Sequence, residues 1–404
     1  MRLASDTKAM NVVIAGASLA GLRTAEALRS RGYQGSIALV GAEAELPYDR
    51  PPLSKDFLGE AHSDQAPLLR SADTLDVLEL DLRLETRVES LDAARRVVRL
   101  SDGDQLPFDS LVIATGADAR TLPVAQGLEG VHVLRTLADA RELRAALDRS
   151  SHLLVVGGGF IGAEVAAAAR LRGIDVDLIE VLPAPMSAVL GATAGNLLGQ
   201  LHRAEGVRLH CGTTVTAVKG SGRVERVELS DGSAIDVDLM VLGLGVTPAT
   251  GWLRGSGLDI VDGVKCDARL RAVGWPNIYA AGDVARWDHP LFGESVRVEH
   301  WTNANEHADV VAASILGVDK DARSVPYVWS DQYAHRIQIV GRPGCADDVI
   351  VRADPGQRRH VVAYQRRARL VGVLTVNAPR VMLKGRKAIL SGSSAEELLT
   401  GPPA

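Results

Sequence analysis

The stretch Asn11-Val-Val-Ile-Ala-Gly16-Ala-Ser-Leu-Ala-Gly21 joins a short apolar run directly to a glycine-rich turn. Such a run is typical of a strand that is buried on both faces of a parallel sheet, and a helical pattern follows it from Leu22 to Ser30. A second apolar strand, Ser36–Gly41, comes shortly before Glu43. Strand, turn, helix and strand in this order predict a βαβ unit of the size that binds one nucleotide.

The same order of elements occurs again later in the chain. His152-Leu-Leu-Val-Val-Gly157-Gly-Gly-Phe-Ile-Gly162 precedes a predicted helix from Ala163 to Arg172 and a strand from Asp175 to Glu180. Each unit is then followed by an apolar strand that ends in small residues, Ser110–Gly116 after the first and Leu239–Gly245 after the second. The chain is therefore predicted to contain two Rossmann-type units.

Beyond the second unit, the strand Asn277–Asp283 ends in glycine and aspartate, and a helix is predicted from about Glu299. From about Pro326 the pattern changes to alternating strands such as Arg336–Val340. These patterns predict an α/β fold with two Rossmann-like dinucleotide-binding domains, arranged as in glutathione reductase, plus an α+β C-terminal domain.

The glycines of such a turn have distinct tasks. The first permits the turn, the second lets a pyrophosphate approach the backbone, and the third lets helix and strand pack closely. In the second unit Gly157, Gly159 and Gly162 fill all three positions, whereas in the first unit Ser18 takes the middle one. One such motif is weak evidence, but two in the right context, each followed by an acidic residue, favour two bound dinucleotides.

Chain order suggests which cofactor binds where. The first unit is interrupted and completed late in the chain, which suits a tightly held flavin, and the inserted second unit suits an exchangeable nicotinamide. Glu180 would repel a 2′-phosphate and no arginine follows it closely, so NADH is expected over NADPH. We expect an FAD-binding domain at residues 1–115 and 246–324, an NAD-binding domain at 116–245 and a C-terminal domain at 325–404.

Composition excludes several other classes of protein. The 404 residues carry a formal net charge of −5, which disfavours a general nucleic-acid binder. No stretch approaches the length of a membrane span, and the N-terminal residues lack the pattern of a secretory leader. The three cysteines, Cys211, Cys266 and Cys345, lie far apart, so neither a metal site nor a dithiol is expected. They are interpreted as small core residues of a cytoplasmic protein.

Several further motifs occur in one order along nearly the whole chain, and Pro47-Tyr-Asp-Arg-Pro-Pro-Leu-Ser-Lys55 is the most specific of them. The others are Ala114-Thr-Gly116, Leu134-Arg-Thr-Leu137, Gly157-Gly-Gly-Phe-Ile-Gly-Ala-Glu164, Gly282-Asp283 and Trp329-Ser-Asp-Gln-Tyr333. Together with the first turn they resemble the oxygenase-coupled NADH-dependent ferredoxin reductases. The resemblance implies FAD and NADH as cofactors and a transiently bound iron–sulfur ferredoxin as partner.

It also implies roles for individual residues. Arg50 and Lys55 would lie near the flavin, with Lys55 at its reactive edge, and Glu164 would lie close to the nicotinamide, so Lys55 and Glu164 are the catalytic candidates. The full set of implied cofactor-binding residues is Gly16, Ser18, Ala20, Gly21, Glu43, Arg50, Lys55, Val88, Ala114, Thr115, Gly116, Arg135, Gly157, Gly159, Phe160, Ile161, Gly162, Glu164, Glu180, Gly245, Gly282, Asp283, Trp301 and Trp329. Arg50 and Lys55 could instead form a solvated charged turn, and Trp301 and Trp329 could be core or domain-interface aromatics.

The implied reaction is hydride transfer from NADH to the flavin, followed by release of single electrons to the ferredoxin. Two departures from the family pattern occur: Ser18 replaces the usual middle glycine, and Gly41-Ala-Glu43 replaces the usual Gly-Asp-Glu, which leaves the ribose contact to Glu43.

Other functions of the same architecture stay open. An NADH oxidase, peroxidase or disulfide reductase needs a redox-active cysteine beside the flavin, and Pro51–Asp56 has none. A monodehydroascorbate reductase would use similar residues. An NADH-sensing flavoprotein like the apoptosis-inducing factors is disfavoured by the acidic balance. The sequence does not indicate the oligomeric state.

Overall fold

The computed structural model describes residues 10–59, 65–354 and 359–399, so the N-terminal residues considered for a leader lie outside the described part. The chain divides into two compact units. The first unit comprises the described parts of Met1–Asp49, Ala66–Asp118 and Thr247–Ser324, and the second those of Arg50–Gln65, Ala119–Val246 and Val325–Ala404. In the described part, no helix has the length and apolar character needed to cross a membrane.

The strands are β1 Asn11–Ala15, β2 Ser36–Val40, β3 Asp81–Arg83, β4 Val88–Asp92, β5 Val97–Leu100, β6 Gln105–Pro107, β7 Ser110–Ile113, β8 Ala117–Ala119, β9 Val131–His132, β10 His152–Val156, β11 Asp175–Glu180, β12 Arg208–Cys211, β13 Val215–Lys219, β14 Arg226–Leu229, β15 Ala234–Asp236, β16 Leu239–Leu242, β17 Val246–Pro248, β18 Val264–Cys266, β19 Ile278–Ala280, β20 Ala285–His289, β21 Glu294–Arg297, β22 Tyr327–Gln332, β23 His335–Gly341, β24 Asp348–Asp354, β25 Arg359–Arg366 and β26 Arg369–Val376. The α-helices are α1 Leu19–Ser30, α2 Ala72–Asp76, α3 Leu137–Leu147, α4 Phe160–Leu171, α5 Ser187–Ala204, α6 Trp301–Ile315, α7 Pro379–Ser391 and α8 Ala395–Leu399.

The first unit is built on a five-stranded parallel sheet in the order β19-β7-β1-β2-β3. Its central strands are almost wholly apolar because both faces are buried, as Val12, Ile14 and Leu111 illustrate. An antiparallel sheet, β4-β5-β6, leads into β7, and a further small sheet, β18-β20-β21, precedes α6. Because all strands of the main sheet are parallel, their carboxyl ends share one edge, where nucleotides bind in such folds.

Like the first unit, the second unit has a five-stranded parallel sheet and a small antiparallel sheet, and it also contains a C-terminal antiparallel sheet. Its parallel sheet has the order β12-β11-β10-β16-β9, and the antiparallel sheet β13-β14-β15 leads into β16. Residues from Tyr327 onwards form a five-stranded antiparallel sheet in the order β22-β23-β26-β25-β24. Helix α5 packs against that sheet, and the hydroxyl of Tyr364 donates to the carbonyl of Leu190 over 2.9 Å. The expected fold class is therefore confirmed.

Two helix starts differ from the sequence prediction. Helix α1 begins at Leu19 instead of Leu22, and α4 begins at Phe160 instead of Ala163. The third glycine of each turn therefore lies inside the first helical turn. Glycine is a poor helix former, so a prediction from propensity starts the helix after it, but the tight packing of backbone against backbone overrides this preference.

Candidate active site

The turn between β1 and α1 lies at the carboxyl edge of the first unit's sheet. A Cβ atom on Gly16 would lie 2.2 Å from the carbonyl oxygen of Ala114, and one on Gly21 would lie 1.9 Å from that of Gly16. Gly16 also has a φ of 121°, which side chains rarely adopt. Only glycine fits at these two positions. Ser18 between them has an extended backbone and makes no side-chain bond as the N-cap of α1.

Two other strands of the sheet, β7 and β19, end at the same edge of the first unit. Thr115 follows β7, and its hydroxyl donates to the carbonyl of Ala249 over 2.9 Å. Gly282 follows β19 with a φ of 76°, and a Cβ on it would lie 3.1 Å from that of Ala20. The sheet therefore gathers the predicted residues Ala20, Ala114, Thr115, Gly116, Gly282 and Asp283 around the first turn. Val88 is half-buried at the start of β4.

The acidic and aromatic candidates of the first unit are held by side-chain hydrogen bonds. The hydroxyl of Tyr48 donates to the carboxylate of Glu43. Trp301 begins α6, and its indole N–H donates to Asp49 over 2.7 Å. The preceding His300 has a buried Nδ1 without a hydrogen-bond partner in the described residues, and burial lowers the pKa of His300 to about 4. An orphaned buried nitrogen beside a helix N-terminus fits a bound polar cofactor.

The turn between β10 and α4 in the second unit has the same backbone constraints. A Cβ on Gly157 would lie 2.4 Å from the carbonyl oxygen of Gly243, and one on Gly162 would lie 2.0 Å from that of Gly157. At Gly159 the nearest atom would be 4.0 Å away, so this position is open. Ile161 at the helix start is 40% exposed, although such side chains are usually buried.

Glu180 fixes the second turn from the neighbouring strand. One oxygen of its buried carboxylate accepts the backbone N–H of Gly158 over 2.9 Å, and the other accepts that of Leu182 over 2.9 Å. Each oxygen retains a second lone pair for a ribose hydroxyl. Gly245, after β16, has open space around it. A cradle of open glycines beside a buried carboxylate suits a dinucleotide.

Lys55 and Glu164 form an ion pair within the second unit. The ammonium of Lys55 lies 2.8 Å from the carboxylate of Glu164, and their side chains are only 15% and 3% exposed. The same carboxylate accepts the hydroxyl of Ser54 and, over 2.6 Å, the hydroxyl of Ser330. Lys55 therefore does not lie in a solvated turn.

Two residues of this cluster were missed from the sequence alone. Ser54 and Ser330 lie within the motifs Pro47–Lys55 and Trp329–Tyr333, but serine is common in turns and strands and carries no signal of its own. The only indication in the sequence was that each serine is adjacent to a predicted site residue. Ser54 directly precedes Lys55, and Ser330 directly follows Trp329.

Arg50, Arg135 and Trp329 are the remaining candidates of the second unit. A guanidinium N–H of Arg50 donates to the carbonyl of Arg135, which directly precedes the N-cap of α3. Trp329 stacks on Tyr327 with ring centres 6.1 Å apart, and the guanidinium of Arg336 lies 5.4 Å from its ring. All three candidates are half-buried and lie on ordered elements.

The cysteines only partly match their predicted role. Cys266 is fully buried, as expected for a core residue, but Cys211 and Cys345 are half-buried, so the core interpretation was wrong for these two. They lie at the end of β12 and in a turn after β23, where strands reach the surface. Burial raises the pKa of the Cys211 and Cys266 thiols, which disfavours the thiolate that redox catalysis needs.

The sequence and the fold were compared with known proteins. The family model for pyridine nucleotide-disulphide oxidoreductases matches residues 10–308, and that for the reductase C-terminal domain matches 327–400. The ferredoxin–NAD(+) reductase component of the anthranilate 1,2-dioxygenase system of Burkholderia cepacia is 38% identical over 384 residues, 94% of this chain and 94% of that protein. The rubredoxin–NAD(+) reductase of Pseudomonas putida is 36% identical over 386 residues, 95% of this chain and 99% of that protein. The solved structure of putidaredoxin reductase in covalent complex with putidaredoxin has a TM-score of 0.92 and 34% identity, covering 96% of this chain and 95% of that chain.

Proposed function

Because this chain belongs to the pyridine nucleotide-disulphide oxidoreductase family, we propose that it is an FAD-dependent NADH:ferredoxin reductase that supplies electrons to an oxygenase. The chain is an oxidoreductase that uses FAD and NADH. The observation that carries the proposal is the match to a ferredoxin reductase over 94% of both proteins.

FAD is assigned to the first turn and NADH to the second. When bound, FAD would supply the chemistry that links a two-electron hydride donor to a one-electron carrier. The chain's contribution is to bind and orient the two dinucleotides. Gly16, Ser18 and Gly21 bring backbone N–H groups of α1 to the FAD pyrophosphate, and Gly157, Gly159 and Gly162 do the same on α4 for NADH. Glu180 selects the unphosphorylated ribose.

Lys55 and Glu164 are proposed as the catalytic pair. A buried ammonium can stabilise negative charge on a reduced flavin, and its carboxylate partner holds that ammonium in place. The remaining residues are proposed as cofactor contacts. They are Ala20, Glu43, Arg50, Val88, Ala114, Thr115, Gly116, Arg135, Phe160, Ile161, Gly162, Gly245, Gly282, Asp283, Trp301 and Trp329.

An iron–sulfur ferredoxin is the proposed electron acceptor, and a rubredoxin is the second candidate, since one similar protein is named a rubredoxin reductase. An oxidase or disulfide reductase is disfavoured, because the turn Pro51–Lys55 presents Ser54 and Lys55 where those enzymes need a thiol. Nothing in the site favours a monodehydroascorbate reductase or an NADH-sensing switch. None of the three cysteines forms a disulfide within the described chain, which supports a cytoplasmic location.

Helix α7 is the proposed docking surface for the acceptor. Its basic side chains Arg380, Lys384, Arg386 and Lys387 are exposed, and Leu383 among them is 58% exposed. Apolar exposure within a basic surface suits a transient complex with an acidic carrier protein. Lys384→Glu should raise the KM for ferredoxin about tenfold without changing flavin reduction by NADH. Arg95→Glu, on the exposed turn after β4, is the matched control and should change neither.

The proposal as a whole is tested by steady-state reduction of a purified [2Fe–2S] ferredoxin and of a purified rubredoxin, each with NADH and with NADPH. We expect turnover with NADH and ferredoxin, and at least about tenfold less with NADPH. Turnover with rubredoxin alone would replace the proposed acceptor. No turnover with either carrier, together with rapid consumption of oxygen, would reject the reductase proposal.

A further inference from the structure

The carboxylate of Glu164 is the most heavily hydrogen-bonded acid of the second unit's candidate site. It is 3% exposed, so nearly every bond it makes must come from the protein. One oxygen accepts the hydroxyl of Ser54 and the ammonium of Lys55, and the other accepts the hydroxyl of Ser330 over 2.6 Å. The three donors come from two distant segments, the turn at residues 51–55 and strand β22.

Gln332 sets the direction of the bond from Ser330. Its side-chain N–H donates to the Ser330 hydroxyl oxygen over 3.1 Å, and both residues lie on one face of β22 because side chains alternate along a strand. A hydroxyl that accepts one bond has its single proton left for another acceptor. Because Ser330 and Gln332 are 0% and 1% exposed, water cannot replace either hydrogen-bond partner of the Ser330 hydroxyl. The proton of Ser330 therefore points to Glu164.

We propose that Ser330 and Gln332 are positioning residues for the Lys55–Glu164 pair. Resting on the proposed function, this assigns to the C-terminal strand β22 the task of fixing the plane of the Glu164 carboxylate. Among the described residues, Lys55 has one other acceptor, the carbonyl of Pro51 at 3.1 Å, in its own turn. The Glu164 carboxylate therefore fixes the position of the Lys55 ammonium relative to α4. The hydrogen bond from Ser330 prevents that carboxylate from rotating.

Without Ser330 one oxygen of a buried carboxylate would lose its donor. A buried carboxylate then turns towards whatever donor remains, and the ammonium follows it. Displacements of about 1 Å at a catalytic group reduce rates strongly even where substrate binding is unaffected. The expected signature is therefore a change in flavin properties and in the rate of its reduction, with unchanged affinity for NADH.

The first test is the midpoint potential of the bound flavin in Ser330→Ala, measured by equilibration with a reference dye. This measurement needs neither NADH nor ferredoxin, so its outcome does not depend on the proposed reaction. We expect the potential to move in the same direction as in Lys55→Met and by less, and no further shift when Ser330→Ala is added to Lys55→Met. Such non-additivity identifies residues that act through one another.

Kinetics and matched variants complete the test. Ser330→Ala should lower the limiting rate of flavin reduction by NADH about tenfold and change the Kd for NADH by less than about twofold. Ser330→Thr retains the hydroxyl and should restore most of the rate. Thr375→Val removes a hydroxyl buried in the same sheet without a partner in the described residues, and should leave potential and rate unchanged.

Loss of stability in Ser330→Ala with an unchanged potential would overturn the proposal, since a merely structural serine affects only folding. If Ser330→Ala does not fold, Gln332→Met provides the second variant. It frees the Ser330 hydroxyl without removing it, so we expect a smaller shift of the potential in the same direction. An unchanged potential in that variant would also contradict the proposed role.

Discussion

The two glycine-rich turns obey the same constraints at their ends and differ in the middle. In the first unit, a Cβ on Gly16 would lie 2.2 Å from the nearest backbone oxygen, and one on Gly21 would lie 1.9 Å from its own nearest backbone oxygen. In the second unit the corresponding distances are 2.4 Å for Gly157 and 2.0 Å for Gly162. These distances are far shorter than those that real Cβ atoms make to other heavy atoms. The outer glycines are therefore required by the packing of strand against helix, before any ligand binds.

The middle position is under no such constraint. The backbone φ is −113° at Ser18 and −75° at Gly159, and both values are open to any residue. A Cβ on Gly159 would meet its nearest neighbour only at 4.0 Å. The fold therefore accepts either residue at this position, and under the proposed function the difference between serine and glycine would affect how closely a pyrophosphate approaches each turn.

The acidic residues differ in a related way. Glu180 is bonded to the backbone N–H of Gly158, so it fixes the shape of its own turn. Glu43 accepts the hydroxyl of Tyr48, a side chain outside the turn. Under the proposed function, specificity for the ribose and the shape of the turn are thus coupled at the second site.

The largest effect should come from alanine at the third glycine of each turn. Gly21→Ala should abolish retention of FAD, whereas Gly162→Ala should retain FAD and lose reduction by NADH, because each Cβ would overlap a carbonyl of its own turn. Flavin content after gel filtration and reduction by NADH measure the two results. Loss of FAD in both variants would show that the turns do not bind different cofactors.

Acid should weaken both units through buried neutral histidines, which are His300 and His307 in the first unit and His202 in the second. Burial lowers the pKa of His307 in the first unit to about 3 and that of His202 in the second to about 4. The unfolded chain takes up these protons near pH 6.5, so stability present above that value is lost as the pH falls towards the folded pKa. We expect a loss of about 2 kcal/mol per histidine at about pH 5.

Urea unfolding of the holoprotein, followed at several pH values, measures this loss. His202→Gln and His307→Gln should each flatten the pH dependence. The pKa of Asp177, lowered to about 2 by hydrogen bonds to Arg208, His210 and His152 that outweigh its burial, adds a loss only below about pH 3.8. A stability that is independent of pH between about 5 and 7 would contradict the neutral, buried histidines.

Replacing the two acidic residues should have unequal effects. Glu180→Gln turns an amide NH₂ towards a backbone N–H, and we expect it to weaken NADH binding about tenfold. Glu43→Gln should affect FAD less, because the Tyr48 hydroxyl can rotate to suit an amide. Titrations with NADH and with FAD measure the two affinities. Equal losses of affinity in the two variants would mean that the hydrogen bond from the Gly158 N–H to Glu180 does not contribute to NADH binding.

Exchange of the middle residues should have the smallest effect. Ser18→Gly should change the free energy of unfolding by less than about 0.5 kcal/mol and retain FAD, because the serine makes no capping bond. Gly159→Ser should fold equally well and weaken NADH a few-fold, since its new side chain occupies space near a phosphate. Thermal unfolding and NADH titration check both. A large loss of stability in either variant would contradict the open middle position.

Much of the fold could be predicted from the sequence, because the strands β1 and β10 are short, mostly apolar runs joined directly to glycine-rich turns. The family resemblance, based above all on Pro47–Lys55, is confirmed by the matches to ferredoxin reductases. The helix starts were wrong, since helix propensity does not register that Gly21 and Gly162 pack against backbone oxygens. The domain boundaries and the individual site roles stay predictions.

The contacts of the candidate site could be predicted less well. The pairing of Lys55 with Glu164 joins residues more than a hundred positions apart, and Ser330 comes from a third segment still further along the chain. Sequence patterns report periodicity and local turns, so they do not indicate which polar side chains share a buried acceptor. The half-burial of Cys211 was missed for the same reason, since it depends on where β12 lies in the sheet.

The central claim is that one turn holds FAD and the other an exchangeable NADH, and anaerobic stopped-flow mixing of the purified protein with NADH tests it most directly. The account predicts rapid bleaching of the flavin band with NADH, slow bleaching with NADPH, and recovery of the band when oxidised ferredoxin is added. A protein that binds no flavin, or a reduced flavin that ferredoxin does not reoxidise, would contradict it.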